Sequence, residues 1–497
     1  MLQLKRGFWD IFLASVSLYI LVLYAPFAIA AHLAPLLDVP IQFVVAVTFI
    51  SMAISTALSA RATGTGLVVA PGVGMALFVS QTVQSGTPIG QLLLAAIIAG
   101  GVSIIFCIKS KDPKRPHISY RQKFLDGIPL PVKIGVRGGI GALLASVALD
   151  NLLNFRNYST SPDIFRILVF IFIFGVIAIL LSDQIQVWLQ EKQDAIHTLF
   201  RDVMLLCVRI FQISLPFIIL LLLYKLSLFE LSQSNTVSTS DSIKYLAHVP
   251  SIIFDIFSGN NSFEAKVGPS VIFACIMLFI FIIDIAGSPY DLLRELSDER
   301  HMKKTIDNSF NVISIWSAIT PFFGLFSSVY YAENNIVTRH DDLRNRSLGI
   351  SHSAVTASIT GFFCAFLFLI TGILLLSYGI IFITPTPEIW LKFAVSPTIF
   401  CLGIHLTAKS MRGDFERKQD IIQSDQPGHS EQRMIEFFIP VSLTVLLTHF
   451  IGVQYSFPFG MCYYYISKRQ FRNIYFISAA IILFLLAMRQ SDFLYRF

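Results

Sequence analysis

Charge is what this chain has least of. Only 14% of its 497 residues are Asp, Glu, Lys or Arg, against about 25% in an ordinary soluble domain. So few solvated groups cannot cover a water-facing surface. That excludes a soluble multidomain enzyme, a disordered chain and a nucleic-acid binder. The six cysteines (Cys107, Cys207, Cys275, Cys364, Cys401 and Cys462) are widely spaced with no CxxC pair, which excludes a disulfide scaffold and leaves them as small apolar core residues. The ten histidines form no HxxxH, HExxH or Cys/His pattern, and there is no GxSxG, kinase signature or GKS/GKT phosphate loop. No cofactor, metal site or enzyme activity is therefore expected.

Apolar residues make up 55% of the chain, and its 45 phenylalanines lie mostly in long runs such as 164–182 and 269–283. A helix needs roughly 20 apolar residues to cross the hydrocarbon core. Spans are predicted near 8–31, 40–60, 89–108, 134–153, 164–182, 203–224, 269–288, 309–326, 353–382, 390–408 and 434–455. Two weaker segments, 65–83 and 328–338, are interrupted by Gly, Pro or charge, and the tail adds 458–467 and 473–488. The sum is about fourteen crossings. The basic start of the chain resembles a signal peptide, but its apolar stretch is too long for one, so it is read as the first span.

The net charge of +6 fits cytoplasmic loops facing anionic lipid. Lys5 and Arg6 precede the first span, and 109–133 contains seven Lys or Arg, whereas 32–39 and 383–389 contain none. Placing the basic loops inside puts the N-terminus in the cytoplasm of a multi-pass plasma or inner membrane protein. The weak segments then become full crossings, and the polar loop 226–268 faces outward.

Those weak segments sit at corresponding places. APG at 70–72 lies about 63 residues after the first span opens, and Glu333 lies about as far after the span near 270 opens. Paired broken helices in two inverted halves point to the midplane site of a transporter. The alternative is two irregular helices in an ordinary bundle.

Three groups carry the chemistry. Asp284, in FIFIIDIAGSPYDLL, is an acid in an otherwise uncharged run, costly unless it faces a partner or a wet cavity. It reads as a substrate-binding acid or as a helix-end acid reaching the interface. Glu333, in GLFSSVYYAENNIV, lies in a stretch too short and polar to be a lipid-facing helix. A carboxyl removed from water takes up a proton more readily, so Glu333 is a proton-coupling candidate; the other reading is a loop acid beside Arg339. The segment ATGTGLVVAPGVGMALFV carries Gly64, Gly66, Gly72, Gly74 and Pro71. A short extended stretch and then a helix N-terminus there would aim backbone N–H groups at ligand carbonyls, although close helix packing also uses such glycines.

These motifs resemble a family. LVVAPGVGMALFVSQTV is similar to the third-span signature of AzgA-like purine permeases, close to ALAPGMGLNAFFAYTVV, in the nucleobase:cation symporter-2 superfamily. GIPLPVKIGVRGGIGALLASVAL resembles that family's fifth span. FIIDIAGS falls at its DLFDTVGT-like motif, VYYAENN at its TTYIES or YGENIG motif, and FAVSPTIFCLG and the IEFFIPVSLTVLLTHFIGVQYSFPFGMCYYYI tail continue the match. The resemblance implies an all-α polytopic membrane protein of fourteen spans in a seven-plus-seven inverted repeat, with short broken strands in spans 3 and 10. A core domain (1–110 and 269–382) would carry substrate past a gate domain (111–268 and 383–497). It implies that Asp284 receives the base's N–H groups and that Glu333 ties substrate to proton. Tyr331 and Ala332 would lie on the strand before Glu333, and Gly72, Val73 and Gly74 on the facing strand. Sodium is the alternative coupling ion, and a homodimer is expected from the fold's relatives. The departures are Phe281 for the first acid of DLFD, Ala76 for the Asn of GLNA, Ile285 and Ser288 for two threonines, and Ser327, Ser328 and Val329 for a Thr-rich run.

The expectation is a proton-coupled importer of a purine-like nucleobase with elevator-type alternating access. The alternatives are a same-fold transporter of another small solute or anion, and a membrane binding or sensor protein without turnover. Two acids and no obvious cation in the presumed pocket argue against an anion.

Overall fold

The computed structural model describes residues 22–84, 86–107, 129–158, 162–191, 299–330, 354–378, 439–447 and 453–468, with scattered helical positions within 12–19, 203–223, 245–251, 270–281, 393–408 and 470–483. The chain is helical apart from one pair of short strands among these residues. In order come α1 (Tyr24–Leu37), α2 (Ile41–Thr63), β1 (Val69–Pro71), α3 (Val73–Gln84), α4 (Ile89–Phe106), α5 (Leu130–Tyr158) and α6 (Pro162–Glu191). Then follow α7 (Glu299–Ile319), a 3-10 turn (Thr320–Phe323), β2 (Ser328–Tyr330), α8 (Ala354–Tyr378) and α9 (Val453–Ser467).

Among the described residues, four helical stretches are long and apolar enough to cross a membrane: Ile41–Thr63, Ile89–Phe106, Asp163–Ser182 and Ser358–Leu376. All four coincide with predicted spans, so the chain is a multi-pass helical membrane protein; the count of fourteen rests partly on segments outside the described residues. Along α6, Phe170, Phe174, Ile177 and Leu181 form one exposed stripe while Leu168, Ile171, Phe172 and Ile179 are buried. Spacings of three and four put the first set on a single face, which lipid covers.

Local chemistry sets the helix limits. Pro40 and Pro88 stand in extended conformation immediately before α2 and α4; a proline there leaves no orphan N–H and cannot continue a helix backwards. α1 runs six residues past the predicted end of the first span and stops at Asp38, in the left-handed region at φ 53°, so the connection predicted over 32–39 shortens to the residues just before Ile41. α7 begins at Glu299, ten residues before the predicted span 309–326, and its regular helix ends at Ile319, short of the predicted 326.

α2 and α7 end alike. α2 closes on Gly64 at φ 70°, and the turn after α7 closes on Gly324 at φ 75°. A left-handed terminator favours glycine because no Cβ meets the carbonyl. Each glycine leads through a short extended run into a three-residue strand, and the second copy lies about 260 residues after the first. β1 and β2 pair antiparallel, with Val69 opposite Tyr330, Ala70 opposite Val329 and Pro71 opposite Ser328. Matched strands running in opposite directions are what an inverted repeat produces at its own axis.

Around this pair α8 packs along α2, with Gly361 and Gly372 of α8 facing Ala60 and Ile50, and Phe49 meets Phe27 and Phe368 at ring centroids of 6.3 and 6.1 Å. Gly100 of α4 faces the backbone of Ala318 in α7.

Candidate functional site

A three-residue strand at membrane depth needs partners for its backbone, because no water reaches it. α2 supplies them for β1 from Ser55 and Thr56; Ser51 and Ser59, one helical turn to either side of Ser55, hold side chains of the second half instead. The Thr56 hydroxyl stands in for a neighbouring strand: it accepts the Val69 N–H at 3.1 Å and donates to the Val69 carbonyl at 3.2 Å. Ser55 Oγ donates to the same carbonyl at 3.0 Å.

β2 and the run into it are held by hydroxyls of α7 and the 3-10 turn that follows it. The Ser328 N–H donates to Ser317 Oγ at 2.9 Å, and Thr320 Oγ1 donates to the Phe326 carbonyl at 3.1 Å. Tyr330, fully buried, shares a 2.6 Å hydrogen bond with Ser59 Oγ. Trp316 Nε1 donates to Ser51 Oγ at 2.9 Å, tying α7 to α2.

The first strand lies slightly earlier in the chain than predicted. Gly72, Val73 and Gly74 are not strand residues: β1 ends at Pro71, and Val73 and Gly74 form the first turn of α3. The physical reason is the turn into α3 at Gly72: its N–H still bonds the Ser327 carbonyl at 3.0 Å, while its carbonyl leaves the ladder and accepts the first helical bond, from Ala76. An extended stretch running into a helix N-terminus is the local geometry the glycine pattern implied. On the second strand the described residues are Ser328, Val329 and Tyr330. Tyr331, Ala332, Glu333 and Asp284 lie outside the described residues.

A cavity of about 10 Å³, large enough for roughly one water, lies beside the strand pair. Met75 from α3, Gly100 from α4, Met277 and Phe281 from the segment before Asp284, Ser317 from α7 and Ser327 from the approach to β2 all reach it. Three chain segments chosen separately from the sequence therefore meet at one place: the glycine run, the run into Asp284 and the run into Glu333. Ser327 Oγ and Ser328 Oγ are buried with no hydrogen-bond partner among the described residues.

Sequence reasoning missed Thr56, Ser59, Ser317 and Tyr330 as the groups that hold the strands. For α2 the signal was present as hydroxyls every fourth residue, at 51, 55, 59 and 63, in a largely apolar span.

No protein-family model and no curated protein matches the chain. Among solved structures it is similar to the transmembrane domain of a cyanobacterium bicarbonate transporter, BicA, at 12% sequence identity and a TM-score of 0.45, over 90% of this chain and 97% of that one. The purine-permease resemblance rests on its motifs.

Proposed function

We propose that the protein is a secondary transporter that imports a purine-like nucleobase together with a proton. The observation supporting this reading is the meeting of the three candidate segments at the strand pair, in a region otherwise satisfied by its own hydroxyls. A nucleobase offers adjacent N–H donors and C=O acceptors on a flat edge. Asp284 takes the donors; beyond Gly72, whose own N–H is held by the Ser327 carbonyl, backbone N–H groups at Val73 and Gly74 and in the Tyr331–Ala332 segment take the acceptors, and Glu333 carries the coupled proton. The core domain (1–110 and 269–382) moves against the gate domain (111–268 and 383–497), in the plasma or inner membrane with the N-terminus in the cytoplasm.

Uptake of labelled hypoxanthine into proteoliposomes under an inward proton gradient, with unlabelled bases as competitors, tests the proposal. Gradient-driven, competable uptake supports it. Saturable binding without uptake identifies a binding protein instead, and neither binding nor uptake by any base removes nucleobases as the cargo. Replacing the proton gradient by a sodium gradient tells the two coupling ions apart.

A further inference from the structure

We infer that Ser327 and the cavity it lines form a subsite for one exocyclic polar group of the ligand, a carbonyl oxygen or an amino nitrogen; this rests on the nucleobase reading above. Ser327 Oγ is buried and without a partner among the described residues, whereas Ser55, Thr56, Ser59 and Ser317 around the same strands are each hydrogen-bonded. A buried hydroxyl left unpaired is unfavourable, so a group kept in that condition beside a candidate site is suited to a partner that arrives with the ligand. The backbone of Ser327 is fixed independently, because its carbonyl accepts the Gly72 N–H at 3.0 Å and the next residue's N–H is held by Ser317. The hydroxyl is therefore presented from a rigid support.

Size selects the ligand group. The cavity holds roughly one water-sized body, which matches a single exocyclic oxygen or nitrogen and excludes a ring. Most of its wall is apolar, from Met75, Gly100, Met277 and Phe281. A substituent that enters thus meets Ser327 as its hydrogen-bonding group, with Ser317 already engaged by the Ser328 N–H. A serine hydroxyl donates and accepts, so the subsite takes either a carbonyl or an amino group.

The test is competition binding to reconstituted protein with hypoxanthine, adenine and unsubstituted purine, for wild type, Ser327→Ala and Ser327→Thr. Wild type is expected to prefer the two substituted bases to purine by about tenfold, the worth of one neutral hydrogen bond. Ser327→Ala should lose that preference while binding purine as before, and should melt as wild type does without ligand. Ser327→Thr keeps the hydroxyl but puts a methyl into the cavity, and should weaken the substituted bases selectively. Equal weakening of all three bases in both variants, or no change in either, overturns the subsite. Loss of the preference for only hypoxanthine or only adenine retains it and names the group. A wild type that binds none of the three sinks the nucleobase reading, and this inference with it; intact wild-type binding with unaltered variants sinks the subsite alone.

Discussion

The two halves of the chain meet in two ways. At the strand pair, backbone meets backbone through a shell of hydroxyls: Thr56 and Ser55 serve Val69, Ser317 serves Ser328, and Ser59 serves Tyr330. Room remains there, and two hydroxyls stay unpartnered among the described residues. Between α5 and the predicted span 390–408, backbone meets backbone directly. A Cβ on Gly403 would lie 2.6 Å from the Ala145 nitrogen and closer still to the Gly141 carbonyl oxygen; one on Gly141 would lie 2.6 Å from the Gly403 carbonyl oxygen. Small residues let spans approach this closely when lipid gives no hydrophobic drive for helices to associate. The contrast separates a place that can accept a ligand from one that is filled.

The filled place should fail most sharply. Gly403→Ala cannot be absorbed by a side-chain rotation, since the atoms it meets are backbone. Overpacking of a well-filled contact costs about 1–3 kcal/mol, and backbone obstruction puts this variant at or above the top of that range. The expected outcome is loss of monodisperse protein on size exclusion or a large fall in melting temperature. A variant as stable as wild type would show that the seam is looser than its geometry states.

At the strand pair the large effects belong to ligand chemistry. Under the proposed function, Asp284→Asn abolishes base binding while the ligand-free protein stays folded, because the carboxylate is there for the base's N–H groups. Glu333→Gln stops uptake or frees it from its pH dependence. Normal binding by the first variant, or uptake with normal pH dependence by the second, would remove that acid from the mechanism. Thr56→Val is the structural counterpart. It leaves the Val69 N–H buried without its acceptor, and such an orphan costs about 1–3 kcal/mol, read as a clear drop in melting temperature.

The same contrast explains what was legible in the sequence. The spans could be read because a run of apolar residues is a local property: α2 and α4 fall within a few residues of their predicted limits. The broken segments were visible because Gly and Pro interrupt them. The strand register was not visible, since it depends on a pairing across more than half the chain, Val69 with Tyr330. An expectation centred on Gly72–Gly74 therefore sat later in the chain than the observed β1. The cavity, too, needs five separate stretches of sequence brought together, and no periodicity encodes its Ser327. Gly141 and Gly403 each read as a glycine in a helix; only their contact gives them meaning.

The smallest effect sharpens the comparison most. Thr407 Oγ1 donates to the carbonyls of Gly138 and Gly403 at 3.0 and 2.9 Å, so by a contact list it resembles Thr56, with two bonds to backbone. The chemistry differs. Both of its acceptors are helix carbonyls, able to keep their own helical bonds, and Thr407→Val removes the donor without stranding a partner. Thr56 also accepts, and the N–H it accepts belongs to a strand with no helical alternative. Thr407→Val should therefore cost under about 1 kcal/mol and melt close to wild type, well above Thr56→Val. Equal melting of the two variants would mean that the hydroxyl shell does not hold β1 in place, and that the strand pair owes its position to α3 and α7.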